Sequence, residues 1–216
     1  NEHTWLRIEG RMTVPHYMRE LTNHNDVTGY EFNLDENGEL QQNGEREATF
    51  WVIVPHSAKS FEPHGLVQYG HGLFGYGLDV GELEWSRDCD APTPRPCGWF
   101  NARIANQHNL IFFASDLVGM AQEDLDTTAL EMMGDLTYFR WIADRLHQGL
   151  TEYLLLARAM RERFAGLPEL ARYPINVNTD ELYYSGISQG GIFGATYMAI
   201  TQDVTRCHLG VPGQNY

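Results

Sequence analysis

The stretch from Leu182 to Gly194, LYYSGISQGGIFG, constrains this chain more than any other. An aromatic and β-branched run leads into Gly186-Ile187-Ser188-Gln189-Gly190, and small residues follow as a helix would need them. A serine between glycines where a strand meets a helix reads as a sharp turn with a strained backbone. Bulky neighbours there would collide with the adjoining strand and helix. The turn lifts the Ser188 hydroxyl clear of the sheet. It also aims the Gln189 backbone N–H and the positive end of the new helix at whatever that hydroxyl attacks. The bland alternative is a chance Gly-x-Ser-x-Gly in a glycine-bearing chain. Strand, turn and helix in succession make Ser188 the candidate nucleophile, with Gly186 and Gly190 as its supporting glycines.

The rest of the chain supplies a framework for that turn. Trp5 to Val14 alternates, with Leu6, Ile8, Met12 and Val14 on one side and Arg7, Glu9 and Arg11 on the other, as a half-exposed antiparallel strand does. Residues 22–47 are polar and carry Asn37-Gly38 and Asn43-Gly44, which predicts a surface hairpin or loop. Ala48–Val54, Leu66–Tyr69, Asn109–Ala114, Glu181–Ile187 and Cys207–Val211 read as strands, the last with Cys207 buried. Between them, from Leu146 onward, Leu150, Tyr153, Leu154, Ala157, Met160 and Phe164 recur at three- and four-residue steps, an amphipathic helix ending near Gly166. Strands alternating with helices predict a mostly parallel sheet covered on both faces. At 216 residues and 43% hydrophobic the chain can bury one sizeable core, divided as 1–47 for the N-terminal strand and polar hairpin and 48–216 for the main body. With 29 acids against 15 bases it has no basic stripe for nucleic acid, and no apolar run is long enough to span a membrane.

A second chemical signal follows the Leu66–Tyr69 strand: Gly70-His71-Gly72-Leu73-Phe74-Gly75. A His-Gly loop at a strand's carboxyl end lets the backbone approach a substrate and offers amide N–H groups to an anionic oxygen. A glycine-rich turn without a ligand is the plain reading of this loop alone; a serine turn in the same parallel sheet strengthens the first.

With these two motifs the chain resembles the α/β-hydrolase superfamily, and its HGLFG resembles the oxyanion loop of bacterial lipases and related esterases. The resemblance covers roughly residues 48–211, the second to the sixth strand in that family's order. It implies an α/β-hydrolase fold with helices on both faces of a mostly parallel sheet, lacking the C-terminal strands in this chain. It implies that Ser188 forms the acyl-enzyme and that the amides of Leu73 and Gln189 form the oxyanion hole. His71 and Gly72 then shape the loop, His71 not being the base. Asp116-Leu117-Val118-Gly119 matches a loop bordering the site, and Asp116 is expected there as a structural and rim element. In the family the acid and then the histidine follow the nucleophile, after later strands. Here 28 residues follow Ser188, with Asp203 between two elements and His208 inside a predicted strand. The acid and base are therefore expected on a second polypeptide segment that completes the fold. The histidines before Ser188 read as surface or loop residues.

Cys89 and Cys97 bracket a proline-rich loop, and a bridge there closes a nine-residue ring worth about 2.5 kcal/mol in chain entropy. Two reduced thiols are the alternative. With the lipase-like motif the disulfide is the favoured expectation, and with it a secreted or periplasmic protein. Asp79, Glu82, Glu84, Asp88 and Asp90 lack the spacing of a calcium loop and read as a solvated acidic stretch; no metal or cofactor is expected. Tyr138, Phe139, Trp141 and Ile142 read as core packing ahead of a lid or substrate rim. Three functions fit: a serine hydrolase of small-molecule or lipid esters, a peptidase or amide acylase with the same parts, and a non-catalytic binding protein on the same fold.

Overall fold

The computed structural model describes residues 3–23, 27–82, 100–125 and 129–213. Its centre is a six-stranded sheet built from β1 (Thr4–Pro15), β4 (Glu45–Pro55), β5 (His64–Gly70), β6 (Leu110–Ser115), β7 (Val177–Ile187) and β8 (Arg206–Gly210), in the spatial order β1-β4-β6-β5-β7-β8. β6, β5, β7 and β8 run parallel, while β4 is antiparallel to both β6 and β1. The mostly parallel sheet expected from the alternating pattern is the one observed. β2 (Met18–Thr22) and β3 (Thr28–Phe32) form a separate hairpin.

Alternation within the strands sends residues to two layers. Val52, Leu66, Ile111, Phe113, Leu182 and Tyr184 face α4 (Phe139–Arg163) and α5 (Gln189–Ile200) in the larger core. Ile53, Val67, Tyr69, Phe112 and Ala114 face the other way, toward α1 (Asp79–Glu82) and α2 (Phe100–His108), in a smaller one. A short α3 (Leu130–Gly134) precedes α4. The period read from Leu146 onward belongs to α4, which begins earlier, at Phe139. Trp141 and Ile142 pack in the core as expected, but Phe139 is exposed.

The polar stretch is more embedded than its composition suggests. Gly29 lies against the Trp141 ring, closely enough that a Cβ would clash at 2.1 Å. The buried Glu31 takes Arg19 and Arg140 as partners, so a charged hairpin is tied to α4 by ion pairs that residue type alone does not reveal. Cys207 corrects the expectation of burial. β8 lies at the outer side of the described sheet, and both Cys207 and His208 are exposed. His64, expected on the surface, is buried; its ring nitrogens meet Ser57 Oγ at 2.8 Å and the Glu62 carbonyl at 2.6 Å.

Candidate active site

β7 delivers Ser188 to the carboxyl edge of the sheet, and α5 starts at the next residue. Ser188 has φ 54° and ψ −115°, a conformation that a residue with a Cβ adopts only when its surroundings enforce it. The surroundings do so from both sides. Its N–H donates to the Gly210 carbonyl at 2.9 Å, and its own carbonyl accepts from Gly191 and Ile192 in the first turn of α5. A Cβ on Gly186 would stand 2.1 Å from the Gly190 carbonyl oxygen, and one on Gly190 would stand 2.2 Å from that of Gly70. Only glycine fits at either flank.

The loop after β5 sits directly on this turn. Gly190 N–H donates to the His71 carbonyl at 2.9 Å, and a Cβ on Gly72 would lie 3.9 Å from Ser188 Cβ. Two neighbours after β6 hold the loop by its ends: Leu117 N–H donates to His71 Nε2 at 2.8 Å, and Gly77 N–H donates to Asp116 Oδ1 at 2.7 Å. The His71 Nδ1–H in turn donates to the Gly72 carbonyl at 2.7 Å. With one nitrogen donating and the other accepting, His71 is held neutral, and burial lowers its pKa to about 4. Its lone pair is already committed to Leu117, so it has none to offer Ser188. Burial pushes the Asp116 carboxyl the other way, up to about 6, despite the Gly77 bond.

Ser188, Gly72, Leu73 and Gly186 share the wall of one cavity of about 710 Å³. Phe100, Ile187 and Val211 make much of that wall apolar, while Tyr69, Asp79, Asn101, Ser185 and His208 add polar groups. Gln189, buried at the head of α5, follows Ser188 directly, so its amide belongs to the same turn. His208 Nδ1 lies 3.4 Å from Ser185 Oγ. Asp203 is away from this chemistry, its carboxylate gripped by Arg158 at 3.1 Å and Arg161 at 2.7 Å. Among the described residues no three His, Cys, Asp or Glu side chains converge as a metal site, and no helix is long and apolar enough to cross a membrane. Cys89 and Cys97 lie outside the described residues, as do Glu84, Asp88 and Asp90 of the acidic stretch.

The Ser188 turn and the Gly70–Gly75 loop therefore meet where the sequence placed them only by analogy. Asp79, Phe100, Asn101 and His208 were not foreseen as lining the site. None carries a motif; each arrives by topology, from α1, α2 and β8.

A mostly parallel sheet, a strained serine between β7 and α5, and a glycine loop alongside define an α/β-hydrolase fold. No family model matches the chain, and neither does any curated protein. Among solved structures it is similar to a Bacteroides fragilis protein assigned as an acetyl xylan esterase, at 13% identity and TM-score 0.47, over 92% of this chain and 47% of that one. It is also similar to a protein from Klebsiella pneumoniae assigned as a dienelactone hydrolase, at 15% identity and TM-score 0.46, over 98% and 63% of the two chains. A third is acetyl xylan esterase 1 from Thermoanaerobacterium, at 14% and 0.42, over 90% and 52%. The chain spans 47%, 63% and 52% of these three in turn.

Proposed function

We propose that this chain carries the nucleophile and oxyanion hole of a serine hydrolase acting on carboxylic esters. Ser188 Oγ attacks the ester carbonyl, and its proton passes by way of a histidine to the alcohol oxygen as the ester C–O bond breaks and the alcohol leaves. Water then cleaves the acyl-enzyme to the carboxylic acid and free Ser188. The Leu73 and Gln189 amides receive the negative charge on the carbonyl oxygen. His71, Gly72, Gly186 and Gly190 hold these groups in place. The observation that carries the reading is the strained Ser188 backbone beside Gly72, two chain segments more than a hundred residues apart brought together at one cavity. The largely apolar lining of Leu73, Phe100, Ile187 and Val211 suits an acyl or alkoxy group with a hydrocarbon body.

The proton-shuttling histidine and its acid come, in this reading, from a segment outside these 216 residues. Support lies in how the groups at hand are used. His71 is locked neutral between Gly72 and Leu117, Asp203 is held by two arginines, and His208 lies beside Ser185. Asp116 serves the loop through Gly77. Intact-mass analysis of the active native protein checks this. Full activity from the 216 residues alone would overturn it. The disulfide between Cys89 and Cys97, and the oxidising compartment it implies, belong to the same reading; a linked peptide in a non-reduced digest supports them, and two alkylatable thiols refute them.

Replacing Ser188 by Ala is expected to lower hydrolysis of a p-nitrophenyl ester by more than about a thousandfold, with an unchanged circular dichroism spectrum. A fluorophosphonate probe should label the parent and not the variant. Retention of about a tenth of the parent rate would sink the assignment, since even one oxyanion donor is worth more than that. Turnover of the matching anilide separates an amide acylase from an esterase.

A further inference from the structure

Tyr184 lies on β7, four residues before Ser188, and is buried on the face that meets α4 and α5. Its hydroxyl donates to the Gly190 carbonyl at 2.6 Å. Glycines from three places make room for that side chain. A Cβ on Gly70, where the oxyanion loop begins, would fall 2.0 Å from it, and one on Gly186 would fall 2.7 Å from it. Gly194, one turn further along α5, meets the ring itself at 2.3 Å. The glycines around Ser188 are thus partly the imprint of one phenol.

The bond matters because of what surrounds it. The first turn of α5 carries Gly190-Gly191, a pair that is costly in backbone entropy for a helix. Gly190 is held from outside instead. Its carbonyl accepts from Tyr184, and its N–H donates to the His71 carbonyl at 2.9 Å. Two consecutive hydrogen bonds therefore run from β7, through the first turn of α5, to the loop that carries Leu73. The bonds fall on two successive peptides, Gln189–Gly190 through its N–H and Gly190–Gly191 through its carbonyl. Both come directly after the Ser188–Gln189 peptide that carries the Gln189 N–H, so the tie limits where that N–H stands relative to the loop.

We propose that Tyr184 is a positioning residue for the reaction at Ser188, its hydroxyl fixing the first turn of α5 against the Gly70–Gly75 loop so that the Gln189 and Leu73 amides face one point. The proposal rests on the reading of Ser188 as nucleophile. Tyr184 touches no substrate; it acts through Gly190. Tyr197 provides the comparison. It is buried on the same face, and its hydroxyl donates to Gln68 Oε1 at 2.7 Å, away from the turn.

The test pairs Tyr184→Phe with Tyr197→Phe in the full-length protein, with kcat and KM measured per site titrated by the fluorophosphonate, at a temperature where both variants are folded. Both should unfold at lower temperature than the parent, each having lost one buried hydrogen bond. Tyr184→Phe alone should lose between about ten- and a hundredfold in kcat, with KM within about twofold, the signature of misaligned groups rather than weakened binding. Tyr197→Phe should keep kcat within about twofold. Equal losses of kcat in the two variants, or none in Tyr184→Phe, overturn the proposal. A Tyr184→Phe protein that folds at no temperature makes the phenol a structural post and overturns it too. If the parent itself resists the probe, the Ser188 reading fails first, and this one with it.

Discussion

Between the sheet and its larger helices sit Tyr184 of β7, Tyr153 of α4 and Tyr197 of α5, their hydroxyls directed to the Gly190 carbonyl, to the Tyr69 and Ser115 carbonyls, and to Gln68 Oε1. Against α1 and α2 the sheet sets Tyr69, whose buried ring lines the cavity at Ser188. The first face is closely packed, and its hydroxyls hold strand ends and the Ser188 turn. The second gives part of its area to open volume, with Ser185, Ile187 and His208 looking into it. The division of labour follows from the pleat: residues one position apart on β5 and β7 support the site from one side and shape its cavity on the other. Buried phenols with matched partners rigidify a scaffold, and unfilled wall is where a substrate can lie.

The sharpest way to break this contrast is to cut into the filled face. Phe113 is fully buried between β6 and α4, and Phe113→Ala should cost about 3–5 kcal/mol, read from urea unfolding. A cost below about 1 kcal/mol would mean that this face is as loose as the other.

An intermediate effect is expected where the loop on the open side is held. Burial raises the Asp116 pKa to about 6, helped by the nearby Glu123, Asp124 and Glu152 and opposed by the Gly77 N–H. The unfolded chain releases this proton first, near 3.8, so the group's contribution falls as pH rises from there to about 6. Asp116→Asn keeps an oxygen for Gly77 but carries no charge. Its stability relative to the parent should therefore increase between pH 4 and pH 6.5, by comparison of urea midpoints at the two ends. A constant difference would place the carboxyl in water.

The smallest effect sharpens the contrast from the open side. Phe100 lines the cavity and is 67% exposed, so Phe100→Ala should change stability by no more than about 0.5 kcal/mol while altering KM for hydrocarbon esters. A large loss of stability with unchanged KM would make it part of the core.

What the sequence made legible was periodic. Alternation located β1, the apolar runs located β4 to β7, and the three- and four-residue rhythm located α4, because burial on one face repeats with the backbone's own period. The Gly-x-Ser-x-Gly turn was legible for a different reason: close backbone contact leaves glycine as its only signature. Charges were not legible in this way. Glu31 looks like any surface acid until Arg19 and Arg140 are placed around it, and Asp116 reads as a rim residue until Gly77 meets it. Cys207 misled because a short apolar run resembles a central strand whether or not both of its faces are covered. The tie from Tyr184 to Gly190 spans only six positions, yet nothing in tyrosine as a residue type announces it.

The adjoining residues Asp116 and Leu117 hold the segment after β5 at Gly77 and His71. The two grips respond to acid in opposite senses. His71 must stay neutral to accept from Leu117, so its contribution weakens as pH falls from 6.5 toward about 4. Asp116 strains the fold when charged, so its contribution improves over nearly the same interval as pH falls from about 6 toward 3.8. The two contributions to folding stability therefore offset one another in part, although the Gly77 N–H itself favours the charged carboxyl of Asp116. Like two springs of opposite thermal drift, these neighbouring groups flatten the dependence of global stability on pH between about 4 and 6.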